Sequence, residues 1–112
     1  LGINLKMKKY KLEDFKMGWF IGNFEPNILK TETFEAGLLF RKKGLYESPH
    51  YHAIATEYNL IVSGSMTLNG EDLKTGDIFI VEPNEIVYPT FHEDTYLMCI
   101  KTPSIPTDKH IV

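Results

Sequence analysis

Two histidines one residue apart, His50 and His52 in the stretch Ser48-Pro49-His50-Tyr51-His52, and a carboxylate five residues further on, Glu57, are the side chains best suited to chemistry. In an extended strand successive side chains point to opposite faces, so this pair places both imidazoles on one face, about 6.6 to 6.8 Å apart along the backbone. Two imidazoles and a carboxylate suit a divalent ion, Fe, Mn, Ni, Co or Zn, and residue type does not choose among them. An ion held this way keeps open positions for water, oxygen or a bidentate small molecule, and could polarise a carbonyl or activate oxygen. Glu57 has the wrong parity to share the face if the strand simply runs on. A turn must bring it back, yet residues 53–56 contain no Gly, Pro or Asn to mark one. A His-x-His pair also serves as surface or packing histidine, so the surrounding elements carry much of the argument.

Those elements read as strands. Short segments rich in Phe, Tyr, Ile, Val and Thr, broken at close intervals by Gly, Pro and Asn, fall near 18–24, 34–41, 45–53, 57–62, 65–68, 71–74, 77–82, 85–91 and 95–101. Helical periodicity is confined to Tyr10–Phe20 and predicts one short turn at most. Asn69-Gly70 separates two short runs, and a type I′ turn needs positive φ at both central residues, which Asn tolerates and Gly accepts freely. Ile78-Phe79-Ile80-Val81 is a continuous apolar run, expected to be a strand buried on both faces. It should stop at Glu82-Pro83-Asn84, where Pro83 has no amide hydrogen and Asn84 can turn left-handed. Nine short strands predict an all-β antiparallel sandwich or small barrel. Residues 102–112, with Pro103 and Pro106, read as a closing tail.

The spacing Gly44, five residues, His50-Tyr51-His52, four residues, Glu57, six residues, Gly64 resembles the first motif of the cupin superfamily at every defined position. The second cupin motif is partly present: Gly76 fits its leading Gly, Glu82-Pro83-Asn84 stands where Pro-x-Gly belongs, and Val87, or Tyr88 with one inserted residue, occupies the place of the family's histidine. The resemblance covers about residues 34–101, and the flanks are similar to those of small stand-alone cupins. It implies an antiparallel jelly-roll barrel, with one cupin domain over 1–112 made of an N-terminal segment 1–17, a barrel 18–101 and the tail. It also implies that His50, His52 and Glu57 are metal ligands. Tyr88, His92 and Glu85 are the candidates for a fourth; His92, five residues beyond Val87, faces away unless a bulge intervenes. His110 should face solvent, and Tyr46 and Phe91 either line a pocket or fill the core.

Length and charge limit the partners. A chain of 112 residues holds one core, and 12 Lys+Arg against 15 Asp+Glu, with Arg41 the sole arginine, offers no basic stripe for nucleic acid. No apolar run approaches the ~20 residues of a membrane-spanning helix, so a cytoplasmic protein with no membrane partner is expected. Cys99, in Tyr96-Leu97-Met98-Cys99-Ile100, reads as a small core residue. Three functions remain open: a metal-bearing cupin acting on a small carboxylate, keto or hydroxy acid or sugar-like molecule, as oxygenase or isomerase; a binding or sensory module without turnover; and a metal-free sugar epimerase-like protein. Edge strands and the family resemblance both point to a homodimer.

Overall fold

The computed structural model describes residues 2–3 and 6–112; of the segment 1–17, Leu1, Asn4 and Leu5 lie outside the described residues. Among the described residues ten strands follow two single-turn 3-10 helices at Leu12–Asp14 and Lys16–Gly18: β1 Trp19–Ile21, β2 Glu35–Arg41, β3 His50–His52, β4 Thr56–Ser63, β5 Ser65–Leu68, β6 Glu71–Lys74, β7 Ile78–Val81, β8 Pro89–Phe91, β9 Thr95–Thr102 and β10 Lys109–Ile111. Among the described residues no helix is long and apolar enough to cross a membrane.

The strands form an antiparallel five-stranded sheet in the order β1-β2-β9-β4-β7, a three-stranded sheet β6-β5-β8, and the pair β10-β3. Alternation along β2, β4 and β9 sends Leu39, Ile61, Leu97 and Cys99 inward, where they meet Met66 of β5 and Phe91 of β8 in a buried cluster between the sheets. Asn69 and Gly70 take the positive φ values of 51° and 85° that a type I′ hairpin demands, and Leu68 pairs Glu71 across it. Asn84, at φ 68°, ends the run after β7 as expected.

Two sequence expectations need correction. Ile78 and Ile80 are 74% and 51% exposed, so the apolar run of β7 is buried on one face only. The reason is its position: β7 is an edge strand whose register places Ile80 opposite Tyr58 and Ile78 opposite Leu60, on the outer face of the sheet. The tail is also more than a cover. Its Lys109, His110 and Ile111 pair with His52, Tyr51 and His50, making β10 the partner strand of the histidine segment.

Gly64, which closes the first motif, joins β4 to β5 at φ 111°, and a Cβ placed there would lie 2.7 Å from both the Asp94 carbonyl oxygen and Thr95 Cα. Both contacts are backbone and cannot yield cheaply. Gly64→Ala is therefore expected to destabilise the fold by about 2–4 kcal/mol, read as a lowered urea midpoint with an unchanged slope.

Candidate functional site

The turn that brings Glu57 back to the histidine face is made by a side chain far along the chain. Asp108, 4% exposed, accepts hydrogen bonds from the backbone N–H groups of Ala53 (3.1 Å), Ile54 (3.1 Å) and Ala55 (2.9 Å). Burial alone would push its carboxyl up, but those three donors outweigh it and hold the group below its ordinary value. Asp108 thus replaces the turn residues missing between 53 and 56, and β4 starts with Glu57 aimed inward. Asn84 N–H on the His52 carbonyl (2.7 Å) and two backbone bonds between His50 and Val87 (2.8 and 3.2 Å) fix the other side of β3.

His50, His52 and Glu57 then line one cavity of about 210 Å³ between the two sheets, with Lys101, Val87 and Phe91 in the same wall. His50 and His52 are buried, their rings 5.7 Å apart and nearly perpendicular. Nδ1 of His50 lies 3.0 Å from the Ser48 carbonyl oxygen, which can only accept, so that nitrogen carries the proton and Nε2 keeps its lone pair. Nδ1 of His52 is 3.1 Å from Glu57 Oε1, an ion-pair distance, but not along a hydrogen-bond direction; it is a buried nitrogen without a hydrogen-bond partner among the described residues. Its Nε2 faces the ammonium of Lys101 at 3.4 Å. Burial, and after it Lys101, lowers the His52 pKa against the opposing pull of Glu57, so the ring is held neutral.

Lys101 and Glu57 come from neighbouring strands in direct register. Glu35, Lys101 and Glu57 stand opposite one another on β2, β9 and β4, with Lys101 Nζ 3.2 Å from Glu35 Oε1 and 4.9 Å above the Trp19 ring. Ser104 Oγ donates to the other oxygen of the buried Glu35 at 3.3 Å. Cys99 is buried with Sγ 3.9 Å from Glu57 Oε2; burial, then that carboxylate, pushes its thiol far up, so it stays protonated and behaves as a core residue.

The weaker candidates separate cleanly. Val87 is buried and lines the cavity, so the strand carries no inserted residue and the family's histidine position holds an aliphatic side chain. Tyr88 is half exposed with its N–H on Asn69 Oδ1, and Glu85 folds back on the N–H of Glu82. His92 points outward, as its parity required, with Nε2 2.6 Å from Thr67 Oγ1. His110 is half exposed and stacks on Tyr51. Phe91 belongs both to the core and to the cavity wall, while Tyr46 is exposed and lines neither.

A divalent ion needs at least three such groups with lone pairs aimed at one point. Among the described residues no three His, Cys, Asp or Glu side chains stand in that relation. Nε2 of His52, moreover, meets an ammonium. As arranged here, the residues do not fit the ion. What they provide is a neutral imidazole between a carboxylate and an ammonium, in a small and largely apolar chamber. Lys101, Glu35 and Asp108 were not singled out from the sequence; the one signal for Lys101 is parity, since it continues the alternation of inward-facing Leu97 and Cys99 on the same strand.

No family model matches the chain, and no curated protein matches it in sequence. Solved structures do. An uncharacterized conserved protein with a double-stranded β-helix domain from Klebsiella pneumoniae is 16% identical with TM-score 0.65, over 98% of both chains. A Streptomyces PAC13 variant with uridine is 17% identical with TM-score 0.66, over 96% of this chain and 92% of that one. KdgF from Halomonas sp. is 22% identical with TM-score 0.59, over 67% of this chain and 74% of its own. An RmlC-like cupin from Shewanella frigidimarina is 20% identical with TM-score 0.57, over 67% and 70%. The strand order, the two facing sheets and these likenesses agree: the fold of this chain is the double-stranded β-helix of the small single-domain cupins.

Proposed function

We propose that this chain binds a small oxygen-rich molecule, a carboxylate, keto or hydroxy acid or sugar-like compound, against His50, His52 and Glu57, and does so without a metal. The observation that carries the reading is Nδ1 of His52, a buried nitrogen in the cavity wall with no hydrogen-bond partner among the described residues. Leaving such a group unpaired costs about 1–3 kcal/mol, which a ligand oxygen would offset. Charge narrows the class. Arg41 and Lys101 in the cavity wall are each paired with a carboxylate, Glu47 and Glu35, so among the described residues Lys109, which also lines the cavity, is the cation left to meet a ligand's anionic oxygen. Arg41 is held by Glu47, and no arginine cluster exists for a pyrophosphate. The volume of about 210 Å³ suits a few heavy atoms. The neighbour seen with uridine gives the sugar-like class its support. Nε2 of His50, whose other ring nitrogen is committed to the Ser48 carbonyl, can also take a proton next to a carbonyl, which favours an epimerase-like second reading over oxygen chemistry.

Amide NMR spectra of tag-free protein in a chelator-containing buffer, titrated with lactate, pyruvate and glucose, test this. Shifts confined to the cavity residues are expected, larger for the two acids than for glucose, and lost in His52→Ala. No cavity response to any of the three overturns the ligand class. Elemental analysis giving one firmly bound Fe, Mn, Ni, Co or Zn per chain overturns the metal-free part and restores His50, His52 and Glu57 as a ligand set. The exposed apolar rows on the outer face of the large sheet support a homodimer joined through that face.

A further inference from the structure

We propose that Lys101 is the resident cation of the cavity: its ammonium takes the place, against His52 and between Glu35 and Glu57, that a divalent ion would fill, and makes the site refuse metals. The inference rests on the cavity being the ligand site, but its test needs no ligand.

The first support is position. Three strands in exact register bring Glu35, Lys101 and Glu57 side by side on the inward face, so one positive group stands between two carboxylates. The second is commitment. Nζ is 3.2 Å from Glu35 Oε1, 3.4 Å from His52 Nε2 and 4.9 Å over the Trp19 ring, and the side chain is only 15% exposed. All three directions available to an ammonium are therefore occupied by protein groups. The third is exclusion. An ion bound to His52 would displace the ammonium from the imidazole lone pair and remain within a few ångströms of it, with little water to screen the repulsion. A lysine that merely balanced Glu35 would need no imidazole in contact, and His52 would then be free to turn its lone pair to an ion.

Tag-free wild type, Lys101→Met and the double variant Glu35→Gln with Lys101→Met are titrated with Co²⁺, followed by calorimetry and visible absorption. The double variant removes both partners of the buried pair, so it remains informative where loss of Lys101 alone leaves Glu35 unpaired and unfolds the chain. Lys101→Met is expected to bind one Co²⁺ at least about tenfold more tightly than wild type, since a positive charge beside the ion is gone, and the double variant more tightly by a smaller factor, since a carboxylate leaves with the ammonium while the His52 lone pair is still released. Ligand-field bands should appear and should vanish when His52→Ala is added. Wild type binding one Co²⁺ as tightly as the variants, or no gain in any variant that folds, overturns the proposal. Neither result touches the NMR response to lactate, pyruvate or glucose, so failure here and failure of the ligand reading are told apart.

Discussion

Asp108→Ala is expected to destabilise the fold by about 2–4 kcal/mol and to take the site apart with it. The carboxylate accepts the N–H groups of Ala53, Ile54 and Ala55, and of these the last belongs to a residue only 2% exposed. The first two amides regain water when the side chain is removed; the third does not, and that difference keeps the loss below the sum of three charged hydrogen bonds. Because the same turn aims Glu57 inward, amide spectra should show β3 and the start of β4 losing their positions together. Asp108→Asn keeps one accepting oxygen and should fall between. Acid separates them further. The folded carboxyl lies below its ordinary value of 3.8, so its stabilisation is complete above about pH 4 and is lost as pH falls through the depressed value. The stability gap between wild type and Asp108→Asn should therefore close in acid. A gap absent at neutral pH would mean that the turn is held by other contacts.

The second large effect concerns association. On the outer face of the five-stranded sheet, the cross-strand rows read Ala36-Ile100-Tyr58-Ile80 and Leu38-Met98-Leu60-Ile78, continued by Phe40 opposite Tyr96. None of these is charged, and most stand well exposed in a single chain. Contiguous apolar patches of this kind are rare on monomers, and a two-fold axis through the sheet would lay one copy's rows on the other's. Sedimentation equilibrium of wild type is expected to give a dimer at micromolar concentration. Leu60→Glu combined with Ile100→Glu should convert it to a folded monomer, because both positions are open to solvent once the partner leaves and the charges are tolerated there. A wild type that stays monomeric at high micromolar concentration would sink the homodimer.

Much of this fold was legible because its signals are local. Asn69-Gly70 specifies its hairpin by backbone conformation alone, and the parity of His50 and His52 needs only the pleat. Parity likewise turned His92 outward. The illegible parts depend on partners distant in sequence. Nothing between 53 and 56 announces a turn, because the turn is supplied by Asp108. Lys101 looks like any lysine near a strand end until β2 and β4 flank it with Glu35 and Glu57. The run Ile78–Val81 reads as doubly buried because an apolar sequence does not say whether its strand lies inside a sheet or on the edge.

The pairing of β10 with β3 has a consequence for the order of folding. The hairpin joining β5 to β6 closes a loop of two residues, whereas β2 must find β9 and β3 must wait for Lys109–Ile111, about half the chain later. Pairings this distant pay loop-closure entropy before any contact rewards them, and they slow folding accordingly. During synthesis His50, His52 and Glu57 emerge well before the strand that aligns the histidines and the carboxylate that turns the chain toward Glu57. The chamber is therefore complete only once Asp108 and Lys109–Ile111 have joined the histidine segment, and a nascent chain that has not reached them lacks the turn that aims Glu57 inward.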